Sequence, residues 1–226
     1  MRHRLAGLFL AVTTLTTFAQ SYPNKPIRLV VPYPAGGGTD TLGRIMAERL
    51  ADRLGVAVVV ANVPGGSGTV GSDTVRRAEP DGYTLLFNAS LFLLGKNVVK
   101  STPYDPLDDF TALGRVGQAP LLLIASSKVE ATTLADLVKA VKANPGGYNM
   151  AVSGLGSAGH LGTLEFMRIA GEARSAVNPD IPTTTEAGMP GLSIASWYGV
   201  WGPKGMPAAV TSRLVTAIAE GVRQPE

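Results

Sequence analysis

Short apolar segments alternate with amphipathic segments along the first half of the chain. The run at 27–33 is apolar almost throughout, as expected of a strand that is buried on both faces. A stripe of leucine, isoleucine and methionine at helical spacing follows, and Gly55 ends it as a left-handed C-terminal cap would. The pattern predicts strands at 27–33, 56–60 and 83–87, separated by helices over 40–54 and 68–78. This order predicts a parallel sheet with helices on its faces.

The segment 103–115 separates a second group of elements from the first, and its residues 104–106 with the nearby acidic residues predict a surface crossover. Within this group, Thr133 and Asp136 have the spacing of a capping box, and Pro207 stands near the start of the last helix. The pattern predicts strands at 121–125, 148–152 and 194–200, and helices over 133–143, 160–170 and 207–221. Two such groups in one chain predict two α/β lobes.

Composition narrows the range of functions. The 226 residues suffice for one large or two small domains, and 45% hydrophobic against 16% charged residues allow a buried core. With no cysteine and only His3 and His160, the sequence excludes disulfide frameworks, thiolate nucleophiles, zinc fingers and iron–sulfur centres. A Ser–His relay or a multi-histidine metal site would depend on His160 alone. We predict no catalytic residue, no metal site and no cofactor, with a metal site built from carboxylates alone as the alternative.

The N-terminal residues have the pattern of a secretory signal peptide. A basic start at 1–4 precedes an apolar run at 5–15, and small residues occupy the positions read by a signal peptidase before cleavage after Ala19. We therefore predict a signal peptide at 1–19 and an exported protein. Loss of Arg2 and Arg4 leaves 18 of the 20 basic residues against 17 acidic ones. Since no basic stripe with interleaved aromatic residues is present, we predict no nucleic-acid partner.

Two glycine-rich loops hold the candidate chemistry: 32–40, called loop one, and 153–160, called loop two. Each joins a predicted strand to a predicted helix, where free backbone N–H groups and the helix dipole favour an anion. In open α/β sheets, ligands also bind beyond the carboxyl ends of the strands. Neither loop contains lysine or arginine. We therefore predict a carboxylate held by neutral donors, with glycines that only form tight turns as the alternative.

Several polar side chains in or near these loops have two interpretations each. Asp40 and Thr39 either cap the start of a helix or contact a ligand. Asn88 and Ser90 follow the third predicted strand, at the same sheet edge as loop one, and either contribute to a ligand site or form a turn or cap. His160 either donates to a ligand or caps the helix that it begins.

Loop two also matches the dinucleotide-binding pattern G-x-G-x-x-G, with the letters GLGSAG at 154–159. That pattern requires a second strand that ends in an acidic residue after the helix, but the segment 172–179 shows no clear strand. A secretory signal also argues against a nicotinamide enzyme. Both observations argue against a dinucleotide site. A dinucleotide-binding protein and an exported α/β enzyme are kept as the alternative functions.

A series of motifs along the chain is similar to those of a known family. They are YPNKPIRLVVPYPAGG at 22–37, NVPGGSG at 62–68, PDGYTL at 80–85, GSAGHL at 156–161, PDIPT at 179–183 with EAG at 186–188, and SWYG at 196–199. Together they resemble the Bug-type solute receptors, the periplasmic binding proteins of tripartite tricarboxylate transporters. The resemblance covers nearly all of the chain that follows the predicted signal peptide.

The resemblance implies a monomeric periplasmic protein with a two-lobed α/β periplasmic-binding-protein fold of the type II, or flytrap, architecture. Such a receptor binds a small organic carboxylate between its lobes and passes it to the membrane subunits of a tripartite transporter. In that family, the two glycine loops hold the carboxylate, partly through ordered water. The predicted ligand-binding residues are Ala35, Gly36, Gly37, Thr39 and Asp40 of loop one, Ser153, Gly156, Ser157 and His160 of loop two, and Asn88 and Ser90 at the same edge.

The chain departs from the family pattern in its second half. After the helix that ends near Gly171, the family continues with a strand, a helix and a further strand, and this block is absent here, as are elements beyond Gly221. We therefore predict an incomplete second lobe with weakened ligand binding. The predicted division is a signal peptide at 1–19, a first lobe at 20–113, an incomplete second lobe at 114–191, and a crossover strand and helix at 192–226 that return to the first lobe.

Overall fold

The computed structural model of the chain describes residues 22–98, 101–144, 147–149, 151–152, 157–160, 162 and 195–223. The strands are β1 (Ile27–Val31), β2 (Val58–Asn62), β3 (Thr84–Ala89), β4 (Phe110–Pro120) and β5 (Ala195–Pro203). The helices include α1 (Gly38–Leu54), α2 (Thr69–Arg76), α3 (Leu91–Val98), α4 (Leu134–Ala143) and α5 (Ala208–Val222), and a 3₁₀ turn at Gly66–Gly68 precedes α2.

The five strands form one mixed sheet in the order β2–β1–β3–β5–β4. β1 is parallel to both of its neighbours, with Leu29 opposite Val60 of β2 and opposite Leu85 of β3. β5 runs antiparallel to both β3 and β4. The parallel arrangement predicted for the first three strands is confirmed, whereas β5 reverses the direction of the sheet.

Helices cover both faces of this sheet, so its central strands are buried on both sides. Leu29 and Phe87 belong to a core with residues of α1 and α5, while Val30 and Leu86 belong to a second, aromatic-rich core on the opposite face. All four of these side chains are fully buried. Each such side chain stabilises the fold by about 1.5–3 kcal/mol. Burial on both faces explains why β1 reads as a continuous apolar run.

The edge strand β4 corrects two predictions. The segment 103–115 is not a crossover throughout, because Phe110–Pro120 pairs along β5. The strand predicted at 121–125 is wrong, since these residues lie in no strand and Ile124 is 83% exposed. Two register irregularities interrupt β4, between Ala112 and Gly114 and between Arg115 and Gly117. These bulges break the alternation of apolar and polar residues, so the strand has no clean two-residue period in the sequence.

The predicted helix signals agree with the structure where it describes them. Gly55 ends α1 in the left-handed conformation, with φ 71°. Thr133 caps α4, because its side chain accepts a hydrogen bond from the Asp136 N–H at 3.1 Å. Pro207 directly precedes α5. The sequence interpretation missed α3, whose eight residues follow β3 after a single intervening residue.

The segment between β4 and β5 is described only in part. α4 contributes no buried residue, and residues 148–149 and 151–152, from the predicted strand at 148–152, are not in a strand. Residues 158–160 and 162 are helical, and the remainder of the helix predicted at 160–170 lies outside the described residues. The predicted signal peptide at 1–19 also lies outside them. In the part of the chain that is described, no helix is both long and apolar enough to cross a membrane.

Candidate functional site

Loop one and the ends of two neighbouring strands meet at the carboxyl edge of the parallel part of the sheet. Loop one connects β1 to α1, Asn62 is the last residue of β2, and Asn88 is the penultimate residue of β3. Because β1 lies between β2 and β3, these segments are adjacent at one edge. This is the edge at which open α/β sheets bind ligands.

The first turn of α1 has backbone N–H groups that no side chain caps. The N-cap residue, Gly37, is extended, and the first helical backbone bond runs from the Thr41 N–H to the Gly37 carbonyl at 2.9 Å. Residues 34–38 are exposed, so the helix start faces open space. Unsatisfied N–H groups at the positive end of a helix dipole attract anions.

Asp40 occupies this first turn but directs its carboxylate back into the protein. It is 2% exposed, and its Oδ2 accepts hydrogen bonds from the Gly36 N–H at 2.8 Å and from Arg44 Nε at 2.9 Å. Its Oδ1 accepts from Asn62 Nδ2 at 2.8 Å. The Arg44 hydrogen bond, followed by those of Gly36 and Asn62, lowers the pKa of Asp40 to about 2. Asp40 is therefore ionised at neutral pH and satisfies a donor within loop one, before the helix begins.

Gly36 provides the tight turn that this bond requires. Its φ is 85°, in the left-handed region that favours glycine. A Cβ at Gly37 would approach no atom closer than the Pro34 carbonyl oxygen, at 3.7 Å, and a Cβ at Gly38 would meet nothing within 4 Å. The space in front of these two glycines is therefore open to a ligand.

Asn62 and Arg44 belong to this cluster although the sequence interpretation did not select them. Asn62 Nδ2 donates to the Tyr33 carbonyl oxygen at 3.1 Å as well as to Asp40, and its Oδ1 accepts from Arg44 Nη2 at 3.1 Å. The only available signal was positional, because Asn62 follows the strand predicted at 56–60, and β2 extends as far as this residue. Arg44 lies one helical turn after Asp40, at the spacing that allows an ion pair.

Asn88 is placed at the predicted edge, but its side chain is engaged with the protein. It is 1% exposed, and its Oδ1 accepts from the Tyr33 hydroxyl at 3.0 Å and from the Ala89 N–H at 2.8 Å. Its Nδ2 donates to Ser72 Oγ at 3.1 Å, and the Ser72 hydroxyl donates to the Gly68 carbonyl at 2.8 Å. Burial raises the pKa of Tyr33 above its usual range. Asn88 thus ties loop one to the start of α2.

Ser90 is also buried and lies at the turn between β3 and α3. Its N–H donates to the Trp197 carbonyl at 2.8 Å, and its own carbonyl accepts from the Leu93 N–H at 3.3 Å. These backbone bonds anchor the start of α3 against β5. They agree with the turn-or-cap interpretation and leave a ligand contact as a prediction.

Loop two is described only from residue 157 onward, so Ser153 and Gly156 lie outside the described residues. Ser157 is buried, and its Oγ accepts a hydrogen bond from the His160 N–H at 3.0 Å. It therefore caps the helical residues 158–160, as loop two was predicted to lead into a helix. Among the described hydrogen bonds, none joins Ser157 to loop one. The structure thus brings loop one, Asn88 and Ser90 to one sheet edge.

An apolar cavity of about 590 Å³ lies between α3, β4 and β5. Trp197, Trp201 and Phe110 are on its lining, together with the charged residue Arg115. No residue of loop one contributes to it. No group of three or more histidine or carboxylate side chains among the described residues is arranged to hold a metal ion.

Comparison with known proteins identifies the family. The family model described as "Tripartite tricarboxylate transporter family receptor" matches residues 42–173 and 161–226, which is most of the chain. The chain belongs to this receptor family. The predicted resemblance to the Bug-type receptors is therefore confirmed.

Two curated relatives illustrate this membership. The "UPF0065 protein in tcbD-tcbE intergenic region" of Pseudomonas sp. (strain P51) is 29% identical over 278 aligned positions, which include 100% of this chain and 83% of the relative. Protein BugT of Bordetella pertussis is also 29% identical, over 96% of this chain and 83% of its own length. Since 278 positions exceed the 226 residues of this chain, the Pseudomonas relative has segments inside the alignment that this receptor lacks.

Solved structures show the same fold. The periplasmic binding protein BugD superposes with a TM-score of 0.80 at 29% identity, over 90% of this chain and 85% of BugD. The R. palustris protein Rpa4515 with adipate superposes with a TM-score of 0.80 at 27% identity, over 88% of this chain and 83% of that protein. The receptor therefore has the α/β periplasmic-binding-protein architecture. The family to which it belongs is one of transporter receptors and not of enzymes.

Proposed function

We propose that this receptor captures a small organic carboxylate in the periplasm and delivers it to the membrane subunits of a tripartite transporter. The observation that carries the proposal is the exposed, uncapped start of α1 behind Gly37 and Gly38. A related receptor of known structure holds adipate. The candidate classes are di- and tricarboxylates, aromatic acids and amino acids.

The charges around loop one support recognition by neutral donors. The one acidic group in the loop, Asp40, is buried and paired with Arg44 at 2.9 Å, and its Oδ2 also accepts the Gly36 N–H. Its charge is therefore largely offset where the ligand would bind. The N–H groups of the first helical turn supply the partial positive charge that a carboxylate needs, with no arginine or lysine inside the loop.

The remaining predicted contacts complete this proposal. Ala35, Gly36, Gly37 and Thr39 would line the first-lobe side of the site. Loop two, with Ser153, Gly156, Ser157 and His160, would close over the ligand from the second lobe. Ser90 would act from the sheet edge, and Asn88, whose side chain bonds Tyr33 and Ser72, would support loop one from the same edge. We also propose that the receptor works as a monomer with lobes at 20–113 and 114–191 and a return to the first lobe at 192–226.

Thermal unfolding with a ligand panel tests the proposal. A ligand that binds only the folded state raises the unfolding temperature by mass action. We expect an increase with at least one of citrate, adipate, benzoate and glutamate, each at a concentration of about 10 mM, and no increase with NAD. An increase with NAD alone would favour a dinucleotide site in loop two. No response to any acid would contradict the receptor function.

A further inference from the structure

Asn62 lies where β2 ends, beside loop one, and makes three side-chain hydrogen bonds that converge on that loop. The amide nitrogen donates to the Tyr33 carbonyl oxygen at 3.1 Å and to Asp40 Oδ1 at 2.8 Å. The amide oxygen accepts from Arg44 Nη2 at 3.1 Å. Backbone pairing fixes the position of the residue that carries this amide, because Asn62 lies opposite Val31 in the register of β1 and β2.

These bonds fasten the two ends of the exposed glycine segment. Tyr33 precedes Gly36, Gly37 and Gly38, and Asp40 follows them. Asp40 in turn accepts the Gly36 N–H at 2.8 Å, which closes the loop upon itself. A five-residue exposed segment with three consecutive glycines would otherwise have many backbone conformations, and the free energy of ordering it would reduce ligand affinity.

The chemistry requires an amide at this position. Both N–H groups of Asn62 have partners, so none remains to donate to a ligand. An aspartate of the same shape would lack both donors and would add a negative charge next to Asp40. A leucine would lose all three bonds while it kept a similar volume.

We propose that Asn62 is a positioning residue for loop one: it holds the N–H groups at the start of α1 in their binding geometry without contacting the ligand. The proposal rests on the function proposed above, in which loop one binds a carboxylate. It predicts that loss of Asn62 disorders residues 34–39 while the sheet and α1 remain folded.

Nuclear magnetic resonance of the ligand-free protein tests the positioning directly. In Asn62→Leu, we expect the heteronuclear NOE of the Gly36, Gly37 and Gly38 amides to fall towards values typical of flexible backbone, with the amides of β1 and β3 unchanged. Arg44→Gln is the matched variant, because it removes the ion pair but leaves both bonds donated by Asn62. Val59→Ala, at an exposed position of the same strand, controls for disturbance of β2. If the loop amides of Asn62→Leu keep the wild-type NOE, the proposal is wrong.

A titration with adipate then separates positioning from binding. We expect the dissociation constant of Asn62→Leu to rise by about tenfold or more, and that of Val59→Ala to remain unchanged. Equal affinity in wild type and Asn62→Leu would overturn the proposal. If wild type binds another acid of the panel but not adipate, the same comparison is made with that acid. If it binds no acid, the receptor function fails and the ligand-free measurement alone decides the role of Asn62. Should Asn62→Leu fail to fold, Asn62→Ser provides both measurements with a smaller change.

Discussion

At Gly37, a substitution can block ligand contact without disturbing the fold. Its φ of −77° is accessible to any residue, and a Cβ would have no neighbour closer than 3.7 Å. We therefore expect Gly37→Val to fold with α1 intact and to lose carboxylate binding, because the branched side chain would fill the space in front of the helix start. Calorimetric titration with the acid found in the panel measures the effect.

Ala57→Val is the control for this change. Ala57 is exposed and directly precedes β2, at the amino-terminal ends of the parallel strands. The same branched side chain is therefore introduced away from loop one. Wild-type affinity in a folded Gly37→Val variant would remove loop one from the site.

Asp40 gives a prediction about pH. Its pKa is about 2 in the folded protein, lowered chiefly by Arg44, whereas an aspartate in an unfolded chain titrates near 3.9. A carboxyl group with a lower pKa in the folded state stabilises that state above the unfolded pKa, and the stabilisation is lost as the pH falls through the folded pKa. The difference in stability between wild type and Asp40→Asn should therefore be constant above about pH 5 and change between about pH 4 and pH 2.

Urea unfolding of both proteins from pH 2 to pH 6 measures this difference. Asp52→Asn, at an exposed position of α1, serves as the control. A stability difference between wild type and Asp40→Asn that does not vary with pH would show that the carboxylate is not held as the structure indicates.

Part of the hydrogen-bonded cluster around Asp40 was predictable from the sequence, and part was not. The glycines and Asp40 of loop one were identifiable because they stand between an apolar run and a helical stripe. Asn62 and Arg44 join the cluster through side-chain hydrogen bonds that form because β2 extends beside β1 as far as Asn62. No local sequence pattern marks where that strand ends. The sequence also gave Asn88 two interpretations, and only its bonds to Tyr33 and Ser72 reveal that its amide is engaged.

At the scale of elements, the close packing of α1 on the sheet depends on Gly43. A Cβ there would lie 2.9 Å from Val31 Cγ2 and 3.3 Å from Phe87 Cδ1, so a larger side chain must push the helix away. We expect Gly43→Leu to lower the free energy of unfolding by about 1–3 kcal/mol and to weaken carboxylate binding, because α1 carries the binding N–H groups. Chemical denaturation and calorimetry provide the two readouts.

Glu48→Leu, at an exposed position of the same helix, introduces the same side chain without the steric conflict. If Gly43→Leu is as stable as Glu48→Leu, α1 does not pack as closely as the structure indicates.

The elements differ in how readily the sequence reveals them. β1 is a continuous apolar run and α1 has an apolar stripe at helical spacing, and the structure confirms both of them as well as α2. β4 was missed because its bulges and its glycines at Gly114 and Gly117 interrupt the period, while the more apolar run at 121–125 attracted the strand prediction. Pairing with β5, which is distant in sequence, decides which segment joins the sheet, and local patterns carry no information about that partner.

At the scale of the whole molecule, the five-stranded sheet and the segment that follows β4 differ in burial. The central strands are buried on both faces, and α5 packs on α1, with Arg213 Nη2 donating to the Arg53 carbonyl at 2.7 Å. In contrast, α4 buries none of its residues, and Leu121, Leu122, Leu123 and Ile124 are exposed. Regions with few buried apolar contacts open at low free-energy cost.

We therefore expect amide hydrogen exchange to be much slower in β1 and β3 than in α4. Mass spectrometry of exchanged peptides covering Ile27–Val31, Thr84–Ala89 and Leu134–Ala143 compares them directly. Equal protection of α4 and the central strands, together with micromolar binding of an organic acid, would contradict this expectation. It would indicate that the second lobe is stable and binds ligand despite its missing segments.

The central claim is that a carboxylate binds to the backbone N–H groups at the start of α1. The most direct test is a titration of the isotope-labelled wild-type protein with the acid panel, followed through the backbone amide resonances of Gly37, Gly38 and Thr39. We predict that these resonances shift with a common saturation curve as one acid is added. Saturable binding that moves other resonances and leaves these three unchanged would contradict the claim.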